Sequence, residues 1–197
     1  MDDPLVGQRI VVRDWILEDL PSYRKAQTPG QKWQELDAPY FPRPSLEATD
    51  RTVERIADRI RRGDWPVPRE VAVIADATTN DLIGRISRYW QSEETHWLSV
   101  GLVIFDPEHW GRGLGFEALG LWSDDLFASM PQLARLDLRT WSGNVGMIRL
   151  AEKLGYSLEA KFRNARVVDG KLYDGLGFGV LREEWAARYP EGFAKSL

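Results

Sequence analysis

The sequence predicts one α/β domain over residues 1–197, α+β in arrangement, with a mixed, largely antiparallel sheet flanked by helices. Three observations carry that prediction. Residues 70–105 read as three strands joined by short polar turns, which makes neighbouring strands antiparallel. Residues 53–63 and 144–155 place apolar side chains at helical spacing and end on glycine. Near the C-terminus, Asp169-Gly170 separates two β-rich runs, a short-hairpin signal.

The elements follow in order. Residues 9–15 are β-rich, and a short polar helix starts near Leu17. Pro29-Gly30 and then Pro39, Pro42 and Pro44 mark an irregular stretch. Its aromatics, Trp33, Tyr40 and Phe41, admit two readings: a loop pinned to the core, or the wall of a substrate cleft. Val53, Ile56, Ala57 and Ile60 form one apolar stripe that Gly63 ends. Residues 70–75, 82–90 and 96–105 are the three strands, and Asp106-Pro107 stops the last. A glycine-rich loop, 111–115, leads into a helix over 116–127. A strand at 133–141, a helix at 144–154 closed by Gly155, and the hairpin 156–168 with 172–181 complete the chain. Trp15, Trp90, Trp97, Trp122, Trp141 and Trp185 fall in regular elements and are expected in the core.

Composition narrows the function. Without cysteine the chain has no disulfides, no thiolate metal site and no cysteine nucleophile, and two histidines are too few for a histidine-rich metal centre. A net charge of -4, from 26 basic and 30 acidic residues, argues against a general polyanion binder, so nucleic acid is not an expected partner. No run approaches the roughly 20 apolar residues that span a bilayer. The opening Met1-Asp2-Asp3-Pro4 is acidic where a signal peptide is basic, so cytoplasmic residence is expected.

The segment that carries chemistry is Trp110-Gly111-Arg112-Gly113-Leu114-Gly115-Phe116, between a strand and a helix. Alternate glycines leave backbone N–H groups uncovered and permit positive φ. The helix N-terminus behind them adds unpaired donors, which together make a cradle for a phosphate or pyrophosphate. Arg112 adds a charged donor. Gly-Lys-Ser and Gly-Lys-Thr are absent, and Phe116 stands where a dinucleotide fingerprint needs its third glycine.

The run Asp106-Pro107-Glu108-His109-Trp110-Gly111-Arg112-Gly113-Leu114-Gly115-Phe116-Glu117-Ala118-Leu119 resembles the acyl-coenzyme A loop of the GNAT acetyltransferase superfamily. Within it, the chain is similar to the branch that acetylates ribosomal-protein N-termini (RimJ/RimL-type). Gly7-Gln8-Arg9-Ile10-Val11-Val12-Arg13, Asn144 with Glu152-Lys153-Leu154-Gly155-Tyr156, and Asp169-Gly170 with Tyr173-Asp174 extend the match over almost the whole chain. The resemblance implies a GNAT-like acyltransferase fold and direct transfer of an acetyl group from acetyl-CoA to an amine, a small molecule or a protein N-terminus, with no metal. It further implies that Gly111 to Gly115 hold the pyrophosphate, that Val103, Ile104 and Phe105 splay from their neighbour to meet the pantetheine arm and thioester, and that a backbone donor stabilises the oxyanion. Asn144 would reach the pantetheine while capping its helix, and Trp110 and Phe116 would flank the cofactor.

Three departures bear on mechanism. Met147 replaces the serine credited with protonating the thiolate, Ser99-Val100 stand where relatives carry a glutamate before Gly101, and Arg166 falls near the position of another credited base. Asp174, Tyr173 and Glu94 are the candidate catalytic residues in their place, beside the final hairpin and before the long strand. Glu117 is expected to make a structural hydrogen bond. The alternative to an enzyme is an acyl-CoA-binding or sensing domain that lost the chemistry, and the sequence permits a homodimer without demanding one.

Overall fold

The computed structural model describes residues 3–197; Met1 and Asp2 of the N-terminal reading lie outside them. Eight strands form one sheet in the order β1-β2-β3-β4-β5-β6-β8-β7. They are β1 (Leu5–Val6), β2 (Ile10–Arg13), β3 (Val71–Asp76), β4 (Leu82–Ser92), β5 (Trp97–Ile104), β6 (Arg135–Trp141), β7 (Ser157–Val168) and β8 (Lys171–Leu181). Five α-helices flank it: α1 (Asp19–Ala26), α2 (Leu46–Arg62), α3 (Leu114–Ser129), α4 (Val145–Leu154) and α5 (Arg182–Arg188). All strand pairs are antiparallel except β5 with β6. This is the mixed, largely antiparallel sheet flanked by helices that the sequence leads one to expect, with β1 added to the sheet and α5 to the helices.

Local chemistry explains the boundaries. Ser45 caps α2 by accepting from the Ala48 N–H, and Gly63 closes it in the left-handed region at φ 63°. Gly155 closes α4 at φ 96°. α3 starts at Leu114, two residues before its apolar spacing becomes visible, because Gly113 at φ 81° serves as its N-cap.

The sheet separates two cores. On one face Ile10, Ile74, Ile86, Leu98, Ile104, Leu119 and Trp122 pack with α3 and α4. On the other, Trp15, Tyr23, Trp33, Val73, Val103 and Phe105 pack with α1 and α2. Five of the six tryptophans expected inside are buried or half-buried, but Trp97 is exposed: its indole N–H reaches Asp137 Oδ2 at 2.6 Å, and Arg139 lies over its ring. Among the described residues no helix is long and apolar enough to cross a membrane.

Candidate active site

The β5–β6 ladder runs only from Leu98–Leu136 to Val100–Leu138. Beyond it the two strands diverge, so the β6-facing edge of 101–104 has no strand partner. A cleft of about 850 Å³ opens at this point. Period-two alternation gives it two chemically distinct sides.

On the α3/α4 side lie the glycine loop and Asn144. Gly111 and Gly113 have φ 72° and 81°. The first helical N–H with an intrahelical partner is that of Glu117, bonded to the Gly113 carbonyl at 3.1 Å. The N–H groups of Leu114, Gly115 and Phe116 precede it at the positive end of α3. Arg149 and Lys153 line the same side from α4, and Lys153 Nζ stands 4.2 Å from the Phe116 ring centre. Bare glycine backbone, helix donors and two cations fit the diphosphate portion of a CoA molecule. The loop is held from the bend just before β2: Arg9 binds the buried Glu117 through its Nε (2.6 Å) and its backbone N–H (2.9 Å), and its Nη1 donates to the Arg112 carbonyl. Glu117 therefore makes the structural hydrogen bonds expected of it.

The structure brings Val103, Ile104, Trp110, Gly111, Gly113, Leu114, Gly115, Phe116 and Asn144 to the cleft. Two others of the predicted cofactor set are not among the lining residues. Phe105 is buried in the α1/α2-side core, 5.6 Å from the Trp33 ring, and Arg112 is exposed, contributing its carbonyl to Arg9. The Trp110 indole N–H donates to the Ile104 carbonyl at 2.9 Å, tying the start of the loop to the divergent strand edge. Asn144 Oδ1 caps α4 by accepting from the Met147 N–H, and its Nδ2 donates to the Leu36 carbonyl at 3.2 Å.

The α1/α2 side is closed by the segment between those helices. The Leu36 carbonyl also accepts from Trp141 Nε1 at 2.8 Å, fastening that segment over the cleft. Trp33, Tyr40 and Phe41 all line the cleft; Trp33 is also buried in the core, as the pinned-loop reading expects, and Phe41 is exposed. Arg85, Ser87, Tyr89 and Gln91 project from β4 on the same side, and Arg139 and Arg166 close it from β6 and β7. Sequence reasoning singled out Arg166 only as standing near the position of a credited base and missed Arg85 and Arg139, because the three lie on strands that only the sheet order brings together.

Asp174, Tyr173 and Glu94 are not among the lining residues. The Asp174 carboxylate accepts from the Asn164 N–H at 2.9 Å and pairs with Lys161 at 3.1 Å, contacts that hold it below the ordinary carboxylate range. Tyr173 packs edge-on behind Trp141, ring centres 4.9 Å apart. Glu94 sits in the β4–β5 turn, held below its usual range by its own backbone N–H and then by Ser92. Met147 lines the cleft. Among the described residues no group of three or more His, Asp or Glu side chains is placed to hold a metal ion.

The model of the acetyltransferase (GNAT) domain matches residues 9–157. The chain belongs to the GNAT acetyltransferase family. This acetyltransferase is 26% identical over 152 residues to the SPbeta prophage-derived uncharacterized N-acetyltransferase YokL of Bacillus subtilis, covering 77% of this chain and 79% of that protein. Among solved structures it is similar to a GNAT-family acetyltransferase from Bacillus anthracis, with TM-score 0.72 and 18% identity over 92% of this chain and 99% of that one. It is also similar to RimL, a ribosomal L7/L12 α-N-protein acetyltransferase solved in complex with coenzyme A, with TM-score 0.68 and 16% identity over 91% and 98%. The GNAT fold implies use of acetyl-CoA, and the glycine cradle fits it.

Proposed function

We propose that this GNAT protein transfers the acetyl group of acetyl-CoA directly to a primary amine, without a covalent enzyme intermediate. The observation that carries the reading is the parting of β5 and β6 beyond Val100–Leu138. It joins a phosphate cradle on one side of the sheet to an aromatic and polar chamber on the other.

In this reading the N–H groups of Leu114, Gly115 and Phe116 hold the pyrophosphate, with Arg149 and Lys153 beside it. Gly111 and Gly113 let the backbone approach it. The β6-facing backbone groups of Leu102 and Ile104 hydrogen-bond the pantetheine arm, the Trp110 indole holds the Ile104 end of that edge, and Asn144 meets the arm from the N-terminus of α4. Acetyl-CoA supplies an activated thioester carbonyl. The acceptor nitrogen bonds to its carbon as the carbon–sulfur bond breaks, giving an amide and CoA thiol, with the amine proton balancing the thiolate. Trp33, Tyr40, Phe41 and Trp141 enclose the acceptor and restrict its orientation. Asp174, Tyr173 and Glu94 make no direct contact with reactants in this scheme, and water in the open cleft carries the proton.

The test combines binding and turnover. Acetyl-CoA or CoA at a hundredfold excess over Kd should stabilise the fold by about 2.7 kcal/mol, with NADH and ATP as controls. Mass spectrometry on an amine panel should then find one added acetyl group. CoA binding with no acetylated amine would favour the non-catalytic acyl-CoA sensor, an alternative supported by Met147 at the position of the family's thiolate acid.

A further inference from the structure

The acceptor side of the cleft is cationic and incompletely partnered. Arg85 lies on β4 between Val73 and Val103 of the neighbouring strands, both in the α1/α2-side core. Its Nε is buried with no hydrogen-bond partner. Arg166, on β7, stacks its guanidinium 4.5 Å from the Tyr40 ring centre, and its Nε is likewise buried and unpartnered. Arg139 enters from β6, its guanidinium 5.7 Å from the Trp97 ring centre. Against these three cations, Asp37 supplies the one carboxylate of the lining among the described residues, and it faces Arg43 at 3.7 Å.

A buried guanidinium N–H without an acceptor is costly, and the molecule that best relieves it is an anion with two or more oxygens. The CoA phosphates do not fill that role. Strand alternation puts Arg85 and Arg139 on the α1/α2 side of the sheet, opposite the glycine loop and the α4 cations Arg149 and Lys153. A polycationic acceptor is opposed there, since it would meet three guanidiniums and one already paired carboxylate.

Building on the acetyltransferase reading, we infer that the acceptor is an amine that also bears an anionic group, a carboxylate or a phosphate, which Arg85, Arg139 and Arg166 bind. The flanking Trp33, Tyr40 and Trp141 suit an acceptor whose body between amine and anion is flat or apolar. An amino acid with a free carboxylate meets this description, and so does an aminoalkyl phosphate.

The experiment compares matched acceptors on the intact protein: phenylalanine, phenylalanine amide, phenethylamine, an aminoalkyl phosphate and spermidine. The expected result is a kcat/KM for the anionic acceptors about tenfold to a hundredfold above the amide and the decarboxylated amine, with spermidine poorest. The carboxylate and phosphate arms distinguish the two anion sources. Arg85→Gln and Arg166→Gln should erase the preference while acetyl-CoA affinity, read by thermal shift, is retained; if either fails to fold, Arg139→Gln and the wild-type comparison still decide. Equal turnover of anionic, neutral and cationic amines overturns this inference and leaves the acetyltransferase reading intact. A second arm needs no turnover: with CoA bound, N-acetylphenylalanine should bind more tightly than its amide. Equal binding overturns the inference, whereas tighter binding with no amine acetylated supports the anion site and removes the proposed reaction.

Discussion

Arg9 and Glu117, 108 positions apart, form the joint that holds the glycine loop. The Glu117 carboxylate is 1% exposed and accepts from both the Nε and the backbone N–H of Arg9, while Arg9 reaches on to the Arg112 carbonyl. Gly7 packs against the same carboxylate, since a Cβ there would stand 2.6 Å from Glu117 Oε2. The geometry of the glycine loop thus depends on a residue just before β2.

Arg9→Ala removes the main partner of a buried carboxylate, and water can enter only from the exposed side. Stability should fall by about 1–3 kcal/mol in denaturant unfolding. Acetyl-CoA should also bind more weakly in calorimetry, because the Arg112 carbonyl is released. Lower stability with unchanged affinity would show that the loop keeps its shape without this joint.

Gly111 and Gly113 both adopt left-handed backbone but differ in their surroundings. A Cβ at Gly111 meets nothing within 4 Å, whereas one at Gly113 stands 2.7 Å from Arg9 Nη2. Gly111→Ala should therefore cost only the backbone penalty, roughly 1–2 kcal/mol. Gly113→Ala should cost more and weaken acetyl-CoA binding further by displacing Arg9. The comparison is made on Tm and Kd of the two variants, and equal effects would count against the clamp.

Much of this fold was legible because its signals are local. The stripe ending in Gly63, the glycine after α4 and the Asp169-Gly170 turn, at φ 49° and 72°, each announce themselves within a few residues. α5 was missed because seven residues directly after a strand show too little periodicity. Trp97 was misplaced because strand membership does not say whether a helix covers that face. In the site, the glycine loop is contiguous and so was readable. Arg85, Arg139 and Arg166 converge only through the order β4-β5-β6-β8-β7. Asp174 stands beside the hairpin in sequence, and nothing local announces its pairing with Lys161.

Asn144 and Trp141 share the Leu36 carbonyl, which separates two functions of one side chain. Asn144→Ser retains an N-cap oxygen for Met147 but loses the reach to Leu36, while Asn144→Ala loses both. The alanine variant should be less stable than the serine variant by about 1 kcal/mol. Both variants, and Trp141→Phe, should raise KM for the acceptor more than they lower kcat, because the segment over the cleft loses an anchor. A normal acceptor KM in all three would show that this segment is held by its buried aromatics alone.

Asp174 ties the last prediction to pH. Its carboxylate is held low first by the Asn164 N–H and then by Lys161, so the folded state favours the charged form. A depressed folded value contributes stability that is present above the unfolded carboxylate range, near about 3.9, and is lost as pH falls through the folded value. Asp174→Asn should therefore flatten the acid side of the stability profile below that range and change stability little when the profile is compared within the acid limb's lowest points, where the wild-type group is already protonated. The same variant should lower the neutral-pH rate less than tenfold, because the carboxylate is committed to Asn164 and Lys161 outside the cleft lining. A collapse of kcat with a normal acid stability profile would instead make Asp174 the proton acceptor, and the water-borne proton route would have to be abandoned.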